Sequence, residues 1–156
     1  MPNNIFARLL GRSCTRSAVK VENKKRALQF LSELFAGCLD EVSLQKILEQ
    51  LTARERLGST EIGQGVALPH ARIEAHEQPA LALMTLATPI SYETKSNNQV
   101  DILCGLLVPS ATVEQHLDIL KDMANLFQQA KFCQALRHAD DDTSLYTIAT
   151  SWQNED

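Results

Sequence analysis

Two near-continuous apolar runs, ALALMTLA at residues 80–87 and VDILCGLLV at residues 100–108, most constrain how this chain can fold. Both are far shorter than a membrane-spanning helix, and a proline follows each of them, Pro89 or Pro109. Strands that are buried on both faces have this composition, whereas strands with one wet face alternate apolar and polar residues. Because a sheet of such strands needs helices on both sides, the runs predict an α/β sandwich with one sheet.

Elsewhere the apolar residues recur at helical spacing, which supplies the layers that such a sheet requires. Asn23 and Ser43 are the expected N-caps of two helices, and the second helix should stop at Gly58. A T-x-x-Q capping box at Thr112 and Gln115 should open a long helix over about 113–130. The other expected elements are a helix over 24–38, shorter helical pieces around 131–138 and 142–151, and short strands near 14–19 and at 66–68.

Length and charge exclude several functional classes. The 156 residues suggest one domain. A net charge of −4 argues against binding to a phosphate backbone, so no nucleic-acid partner is expected. The first residues lack the apolar segment of a signal peptide, and no run reaches transmembrane length, so no membrane insertion is expected.

The four cysteines, Cys14, Cys38, Cys104 and Cys133, include no C-x-x-C pair. Cys38 and Cys104 fall among apolar residues, which favours buried free thiols. Free thiols indicate a reducing compartment, so the cytoplasm is the expected location. No metal-ligand spacing is recognisable, and neither a metal nor a cofactor is expected.

The stretch GSTEIGQGVALPHAR, residues 58–72, differs from the rest of the chain. Its three glycines let backbone N–H groups point into one space, and such concave nests bind anions. Ser59 and Thr60 add hydroxyl donors and are candidate phosphate-binding residues. The stretch lacks the lysine of a Walker loop, and no strand precedes it as in a Rossmann fingerprint. A tight turn that binds nothing is the alternative interpretation.

His70 closes this stretch, directly after Pro69. Because the unperturbed pKa of histidine is about 6.5, the ring would be mostly neutral near pH 7, and one nitrogen could accept a phosphoryl group. The donors of the loop would then stabilise charge on the phosphoryl oxygens. The alternative is a histidine that only satisfies local hydrogen bonds, as single histidines most often do.

Two further side chains are candidates for the same site. His116 lies in the first turn of the long helix, beside an apolar stripe that includes Leu117, where the positive end of the helix dipole attracts anions. Arg54 precedes the loop and is a candidate clamp for a phosphoryl group or a partner carboxylate. Arg56 and Arg72 also flank the loop, but spacing does not show that the arginines converge. The alternatives are a half-buried structural histidine and solvated charges.

The pattern R-E-x-x-G-S-T-x-I-G-x-G-x-A-x-P-H, here Arg54 to His70, resembles the fructose/mannitol-type IIA domains of the bacterial phosphotransferase system. The segments CTRSAVKVENKKRAL and DILCGLLVP and the later E-Q-H-L are similar to its nitrogen-regulatory branch. The resemblance covers residues 12–150, which implies a single IIA domain over 1–156. It also implies a single mixed β-sheet sandwiched between helices on both faces. The chain departs from the usual pattern at Glu61, Gln64, Ala71 and Arg72.

The resemblance implies that an HPr-like phosphocarrier phosphorylates His70 at Nε2. It further implies that His116 stabilises the phosphoryl group, and that Arg54 stabilises charge or docks the partner. Proteins of the nitrogen branch are phosphotransferase-system components that act mainly as regulators, controlling partners such as potassium transporters or sensor kinases by their phosphorylation state. Two alternatives stay open: a sugar-specific IIA that passes phosphate to a IIB permease component, and a binding module that is not phosphorylated. A hydrolase built on His70 is not expected, because no set of nucleophile, histidine and acid is recognisable.

Overall fold

The computed structural model describes residues 4–40, 42–74, 78–93, 98–109 and 113–153. Within these residues the chain forms six helices and six strands. The helices are α1 (Ile5–Leu9), α2 (Lys24–Cys38), α3 (Leu44–Leu57), α4 (Val113–Phe127), α5 (Ala130–Arg137) and α6 (Asp142–Ser151). The strands are β1 (Leu10–Val19), β2 (Glu61–Gly63), β3 (Val66–Ala67), β4 (His70–Arg72), β5 (Ala80–Ser91) and β6 (Gln99–Val108).

The strands form one mixed sheet, in the order β1, β5, β6, β3, β2. The central pair, β5 and β6, is antiparallel, whereas β1 is parallel to β5. Two short strands, β3 and β4, follow each other along the free edge of β6 and run parallel to it. Val66 pairs with Ile102, and after Leu68 and Pro69 the pairing resumes between His70 and Leu106. This succession places His70 at a fixed position on the sheet.

Both faces of the central strands are covered, as the two apolar runs predict. Every residue from Ala80 to Leu86 is buried. On one face α2 approaches β6 so closely that a side chain at Gly105 would collide with two side chains of the helix. The next helix, α3, packs against α2. Four aromatic rings join α1, α4, α5 and the end of α6: Phe6, Phe127, Phe132 and Trp152. The predicted α/β sandwich with a single mixed sheet is therefore confirmed.

The expected helices are also confirmed, with small differences at their ends. Asn23 caps α2 by accepting a hydrogen bond from the backbone of Arg26, and Ser43 caps α3 in the same way. The long helix ends at Phe127, three residues earlier than expected, and α5 begins at Ala130. The side chains of the predicted capping box, Thr112 and Gln115, lie outside what the structure describes. None of the helices within the described ranges has the length and apolar character to span a bilayer.

Two strand predictions need correction. β1 covers Leu10–Val19 and not only 14–19, and the short helix before it was not predicted at all. β5 continues past Pro89, which had been expected to bound the strand. The proline is tolerated because the pairing of β5 with β6 is irregular between Thr85 and Ile90, so no regular ladder bond from its nitrogen is required.

Cys38, which is expected to be a buried free thiol, is half-buried and lies next to a second cysteine. The Cα atoms of Cys14 on β1 and of Cys38, the last residue of α2, are 6.0 Å apart, a distance at which two cysteines can form a disulfide. The sequence does not indicate this pairing, because the residues are 24 positions apart and neither lies in a recognisable cysteine motif. Cys104 and Cys133 are free and buried, in agreement with the expectation for Cys104.

Candidate functional site

His70 is the first residue of β4 and lies beside the last turn of α3. Its backbone position is fixed because the carbonyl of Pro69 accepts a hydrogen bond of 2.9 Å from the amide of Leu106, and His70 itself is in register with Leu106. The preceding Leu68 is buried, whereas the side chain of His70 is only half-buried. A rigid strand therefore presents a ring that remains accessible.

Both ring nitrogens of His70 have partners, and the two contacts agree on one tautomer. Nδ1 lies 2.8 Å from the carbonyl oxygen of Leu68, which only accepts, so Nδ1 carries the proton. Nε2 then has a free lone pair, to which the Nε–H of Arg54 donates at 3.1 Å. A guanidinium only donates, which again requires Nε2 to be unprotonated. Nε2 is therefore the nucleophilic atom of this histidine.

The surroundings keep His70 neutral. Burial lowers the pKa of His70 below its usual value of 6.5, which is the largest effect. The hydrogen bond to Leu68 raises that pKa, Arg54 lowers it and the carboxylate of Glu55 raises it, but the net direction is downward. Because the neutral form is the one with a free lone pair, the lowered pKa favours the nucleophilic state at neutral pH.

The structure brings His116 to the same place. The rings of His70 and His116 are 5.2 Å apart between centroids, at an angle of 71°. Burial lowers the pKa of His116, and the neighbouring His70, Arg72 and Arg54 lower it further. Two imidazole rings, one on β4 and one on α4, therefore lie close together, and both have a lowered pKa.

His116 lies on the inward face of α4, but Leu117 does not. Ile119 and Met123, which follow His116 by three and seven positions, are both buried. Leu117, expected on the buried stripe, is 60% exposed, so that prediction is wrong. One residue along a helix turns the side chain by about 100°, which takes Leu117 away from the face that His116 shares with the core.

A cleft of about 520 Å³ opens over His70 and His116. It is also lined by Gln50, Ala53, Arg54, Leu57, Ala71 and Arg72. Two guanidinium groups at one opening favour an anion, and they do so in a chain that is acidic overall. Arg56 does not join them, because it lines a different cleft between α2 and α3. At the rim Leu57 is 85% exposed.

The hydroxyl groups of Ser59 and Thr60 have different surroundings. Ser59 lines a second cleft of about 320 Å³, which His70 also borders, and its Oγ accepts a hydrogen bond of 3.1 Å from the amide of Glu61. Among the described residues, no acceptor is seen for the Ser59 hydroxyl proton. The Thr60 hydroxyl instead donates to the buried carboxylate of Glu55. The Thr60 hydroxyl therefore has a partner at the end of α3, and phosphate binding by Thr60 stays a prediction.

Sequence reasoning missed two charged residues around the site. Glu55, next to Arg54, is 8% exposed, and its position four residues after the buried Leu51 places it on the inward face of α3. Lys121 of α4 lines the smaller cleft, and nothing in the sequence indicates this except its position five residues after His116. Glu61 lines the same cleft, with Oε1 accepting a hydrogen bond of 3.1 Å from Asn98. The smaller cleft thus holds charges of both signs.

This arrangement suits the transfer of an anionic group to a neutral nitrogen. It combines an unprotonated Nε2, a carbonyl that holds the proton on Nδ1, and two arginines that attract negative charge. Across the part of the chain that the structure describes, no three His, Cys, Asp or Glu residues are grouped as a metal site would require. Nucleophilic attack by the imidazole of His70 is a reaction that these hydrogen bonds would support.

The sequence of this chain is similar to that of known proteins over most of its length. The family model described as "Phosphoenolpyruvate-dependent sugar phosphotransferase system, EIIA 2" matches residues 8–151. The chain is 40% identical over 143 residues to a "Nitrogen regulatory protein" of Escherichia coli (strain K12), an alignment that covers 91% of this chain and 87% of that protein.

Solved structures share the fold. The crystal structure of Nitrogen Regulatory Protein IIA-Ntr from Neisseria meningitidis superimposes with a TM-score of 0.82 at 28% identity, covering 94% of this chain and all of that one (100%). The IIA protein in a complex of enzyme IIAMTL and phosphorylated enzyme IIBMTL from Escherichia coli gives a TM-score of 0.71 at 16% identity, covering 90% of this chain and 97% of that chain. The second likeness, at so low an identity, concerns the fold alone.

Proposed function

Because the chain belongs to the phosphoenolpyruvate-dependent sugar phosphotransferase system EIIA 2 family, we propose that it accepts a phosphoryl group on Nε2 of His70 from an HPr-like phosphocarrier. It then acts as a nitrogen-linked regulator whose partners distinguish the phosphorylated from the unphosphorylated form. The observation that carries the proposal is the hydrogen bonding of His70, with Nδ1 on the Leu68 carbonyl and Nε2 facing Arg54 at 3.1 Å.

The proposed step is balanced without a proton acceptor. The lone pair of Nε2 attacks phosphorus, the bond from phosphorus to the carrier breaks, and its electron pair returns to the carrier. The ring of His70 becomes an imidazolium that keeps its Nδ1 proton, and the Leu68 carbonyl stabilises it by accepting the hydrogen bond. Arg54 then turns its N–H groups from Nε2 to the phosphoryl oxygens, and His116 stabilises the same charge from α4.

The surface around His70 has the composition of a docking site for the carrier. Leu57 and Leu117, on α3 and α4, are 85% and 60% exposed. Large exposed apolar side chains near a reactive group supply anchors for a protein interface, and nearby arginines add orientation. Arg54 and Arg72 line the cleft next to Leu57. We assign this surface to the phosphocarrier.

Regulation follows from the charge that phosphorylation adds. A phosphoryl group carries about two negative charges at neutral pH, and here it would enter a cleft lined by two arginines. Partner proteins such as transporters or sensor kinases would therefore meet a different electrostatic surface in each state. The name of the curated relatives supports a nitrogen-linked role.

The proposal is tested by reconstitution with phosphoenolpyruvate, the carrier's kinase and an HPr-like carrier. We expect one acid-labile and alkali-stable phosphoryl group on the native chain, and none on His70→Ala. His138→Ala is the matched control, because His138 is exposed at the end of α5, and it should label fully. Pull-downs with both forms then identify partners that bind only one of them.

The sugar-specific alternative makes a separate prediction. The mannitol IIA structure was solved with its phosphorylated IIB partner, which shows that this fold supports such a complex in that protein. If the phosphorylated chain passes its phosphoryl group rapidly to a IIB protein and supports sugar uptake, the regulatory proposal is wrong. A native chain that no carrier can label would instead support a pure binding module.

We place the chain in the cytoplasm, where it would meet its carrier. In a reducing compartment the Cys14–Cys38 pair would exist as two thiols, so the oxidation state of the pair tests the location. Alkylation of protein taken from acid-quenched cells and then unfolded should modify four cysteines. Modification of Cys104 and Cys133 alone would contradict a cytoplasmic location.

A further inference from the structure

The carboxylate of Glu55 is buried beside the candidate site and binds the loop that leads to His70. Glu55 is 8% exposed, and its charge is compensated by the ammonium group of Lys24, whose Nζ lies 3.0 Å from Oε1. The amide of Thr60 donates to Oε1 at 3.2 Å, and the Thr60 hydroxyl donates to Oε2. Buried carboxylates are retained only when such partners offset the cost of desolvation. Glu55 is therefore held in a fixed position by the start of α2 and by the loop after α3.

A continuous series of hydrogen bonds leads from Glu55 to the ring of His70. Thr60, which Glu55 holds by both its amide and its hydroxyl, uses its own carbonyl to accept a hydrogen bond of 3.0 Å from the amide of Leu68. The carbonyl of Leu68 in turn accepts from Nδ1 of His70 at 2.8 Å. The acceptor that selects the tautomer of His70 thus belongs to a residue that the Glu55–Thr60 pair fixes.

Consecutive residues of α3 hold the loop at two points. Arg54 donates to the carbonyl of Gly58 at 2.9 Å and to Nε2 of His70, while Glu55 binds Thr60. The last turn of α3 therefore fixes the loop on both sides of Ser59. One nitrogen of the His70 ring is reached directly by Arg54, and the other is reached through Glu55, Thr60 and Leu68.

From this geometry we infer that Glu55 is a positioning residue for His70. Through Thr60 and Leu68 it holds the carbonyl that keeps the proton on Nδ1 and leaves Nε2 free to attack phosphorus. Lys24 completes the arrangement, since its Nζ also lies 4.3 Å from the centre of the Tyr92 ring, whose hydroxyl is 3.4 Å from that of Thr60. The catalytic part of this inference rests on the proposed function, whereas the control of the tautomer does not.

The charged groups around His70 determine whether a substitution should raise or lower the pKa of His70. Arg54 and Glu55 come from α3, His116 from α4 and Arg72 from β4. Among them Glu55 raises the pKa of His70, whereas Arg54 lowers it. The variant Glu55→Gln removes the negative charge and the Oε2 acceptor at once, so it should lower the pKa of His70 further and weaken the bond that holds Thr60.

The test is nitrogen-15 NMR of the histidine rings in the native chain and in Glu55→Gln. We expect the native His70 to be almost entirely the Nδ1–H tautomer, and the variant to show a mixture of tautomers and a lower pKa. The rate of phosphoryl transfer should fall about tenfold, the effect of losing one net hydrogen bond, while KM for the carrier stays unchanged. Glu49→Gln is the matched control, because Glu49 is exposed on the same helix. It should leave the tautomer and the pKa of His70 and the rate of phosphoryl transfer unchanged.

A second variant keeps the inference falsifiable if Glu55→Gln does not fold. Thr60→Val has nearly the same shape and removes the contacts of the hydroxyl with Glu55 and Tyr92 but keeps the amide bond to Glu55, so it should produce a smaller change of tautomer in the same direction. An unchanged tautomer and pKa of His70 in a folded variant would overturn the inference. If the native chain is never phosphorylated but the tautomer changes as expected, the proposed function fails and the positioning role stands.

Discussion

The Nε–H of Arg54 donates to Nε2 of His70 across 3.1 Å, at the atom that we propose to attack phosphorus. The guanidinium therefore occupies the lone pair in the resting protein and has to release it during transfer. Because Arg54 also binds the carbonyl of Gly58 through Nη1, the guanidinium can turn without leaving the site. It already contacts the atom to which the phosphoryl group, with its negatively charged oxygens, will bond.

Two substitutions of Arg54 distinguish the effect of its positive charge from the effect of its guanidinium geometry. We expect Arg54→Gln to slow phosphoryl transfer about 100-fold, the effect of losing one donor to a developing charge. The same variant should raise the pKa of His70, because the charge of Arg54 lowers it. Arg54→Lys keeps the positive charge but lacks the planar guanidinium with its paired donors. The pKa of His70 should therefore be close to the native value in this variant, whereas the rate of transfer should stay below the native rate. Equal rates for the native chain and Arg54→Gln would contradict this role.

His116 should affect the rate and leave the fold intact. We expect His116→Ala to slow phosphorylation of His70 by about ten- to 100-fold, since it removes one stabilising group from the phosphoryl oxygens. The thermal unfolding transition should remain cooperative, because the ring is only partly buried at the edge of the cleft. Stopped-flow mixing with the phosphorylated carrier measures the rate. A native rate in a folded His116→Ala variant would remove this residue from the mechanism.

The lowered pKa values of His70 and His116 predict how stability depends on pH. Each group binds protons more weakly in the folded chain than in the unfolded chain, where the pKa is about 6.5. The resulting stability is present above pH 6.5 and is lost as the pH falls from there through the folded pKa. Urea unfolding should therefore give a lower free energy at about pH 5.5 than at about pH 7.5.

The variant His70→Gln provides the control for this pH effect. It removes one of the two histidines, so the difference in the free energy of unfolding between the two pH values should become smaller. In addition, the pKa of His116 should rise, because the neighbouring His70 lowers it. If His70→Gln shows the same difference as the native chain, the pH dependence has another origin.

Glu61 carries a negative charge close to where the phosphoryl group would arrive. It lines the smaller cleft together with Ser59 and His70. We expect Glu61→Gln to speed phosphorylation several-fold at low salt, because it removes the repulsion and can still accept from Asn98. The gain should disappear at high salt. A slower rate in Glu61→Gln would show that the carboxylate contributes to the site instead.

Much of the fold could be predicted from the sequence, because its clearest patterns, the apolar runs and the helix caps, each favour one local structure. The runs at 80–87 and 100–108 have no polar face, so they had to form a sheet covered on both sides. The caps Asn23 and Ser43 mark helix starts by their side-chain oxygens. By contrast β1 mixes buried and exposed residues without alternation, and its length was therefore not predictable.

The sequence predicts which side chains could form the candidate site, but not the hydrogen bonds that they make. The nearness of Arg54, His70 and His116 agrees with the family resemblance, although sequence spacing alone does not require it. The direction of the Thr60 hydroxyl depends on a buried carboxylate five residues earlier in the chain, at Glu55 in the last turn of α3. Such a contact is decided by the packing of α2 against α3, through Lys24, and local sequence does not encode it.

NMR of the phosphorylated chain tests most directly whether Nε2 of His70 accepts the phosphoryl group. Carrier-dependent phosphorylation of nitrogen-15-labelled protein should give one phosphorylated histidine, with the coupling to phosphorus on Nε2 and the proton retained on Nδ1. His70→Ala should give no such signal under the same conditions. Phosphorylation on Nδ1, or full labelling of His70→Ala, would show that Nε2 of His70 is not the acceptor.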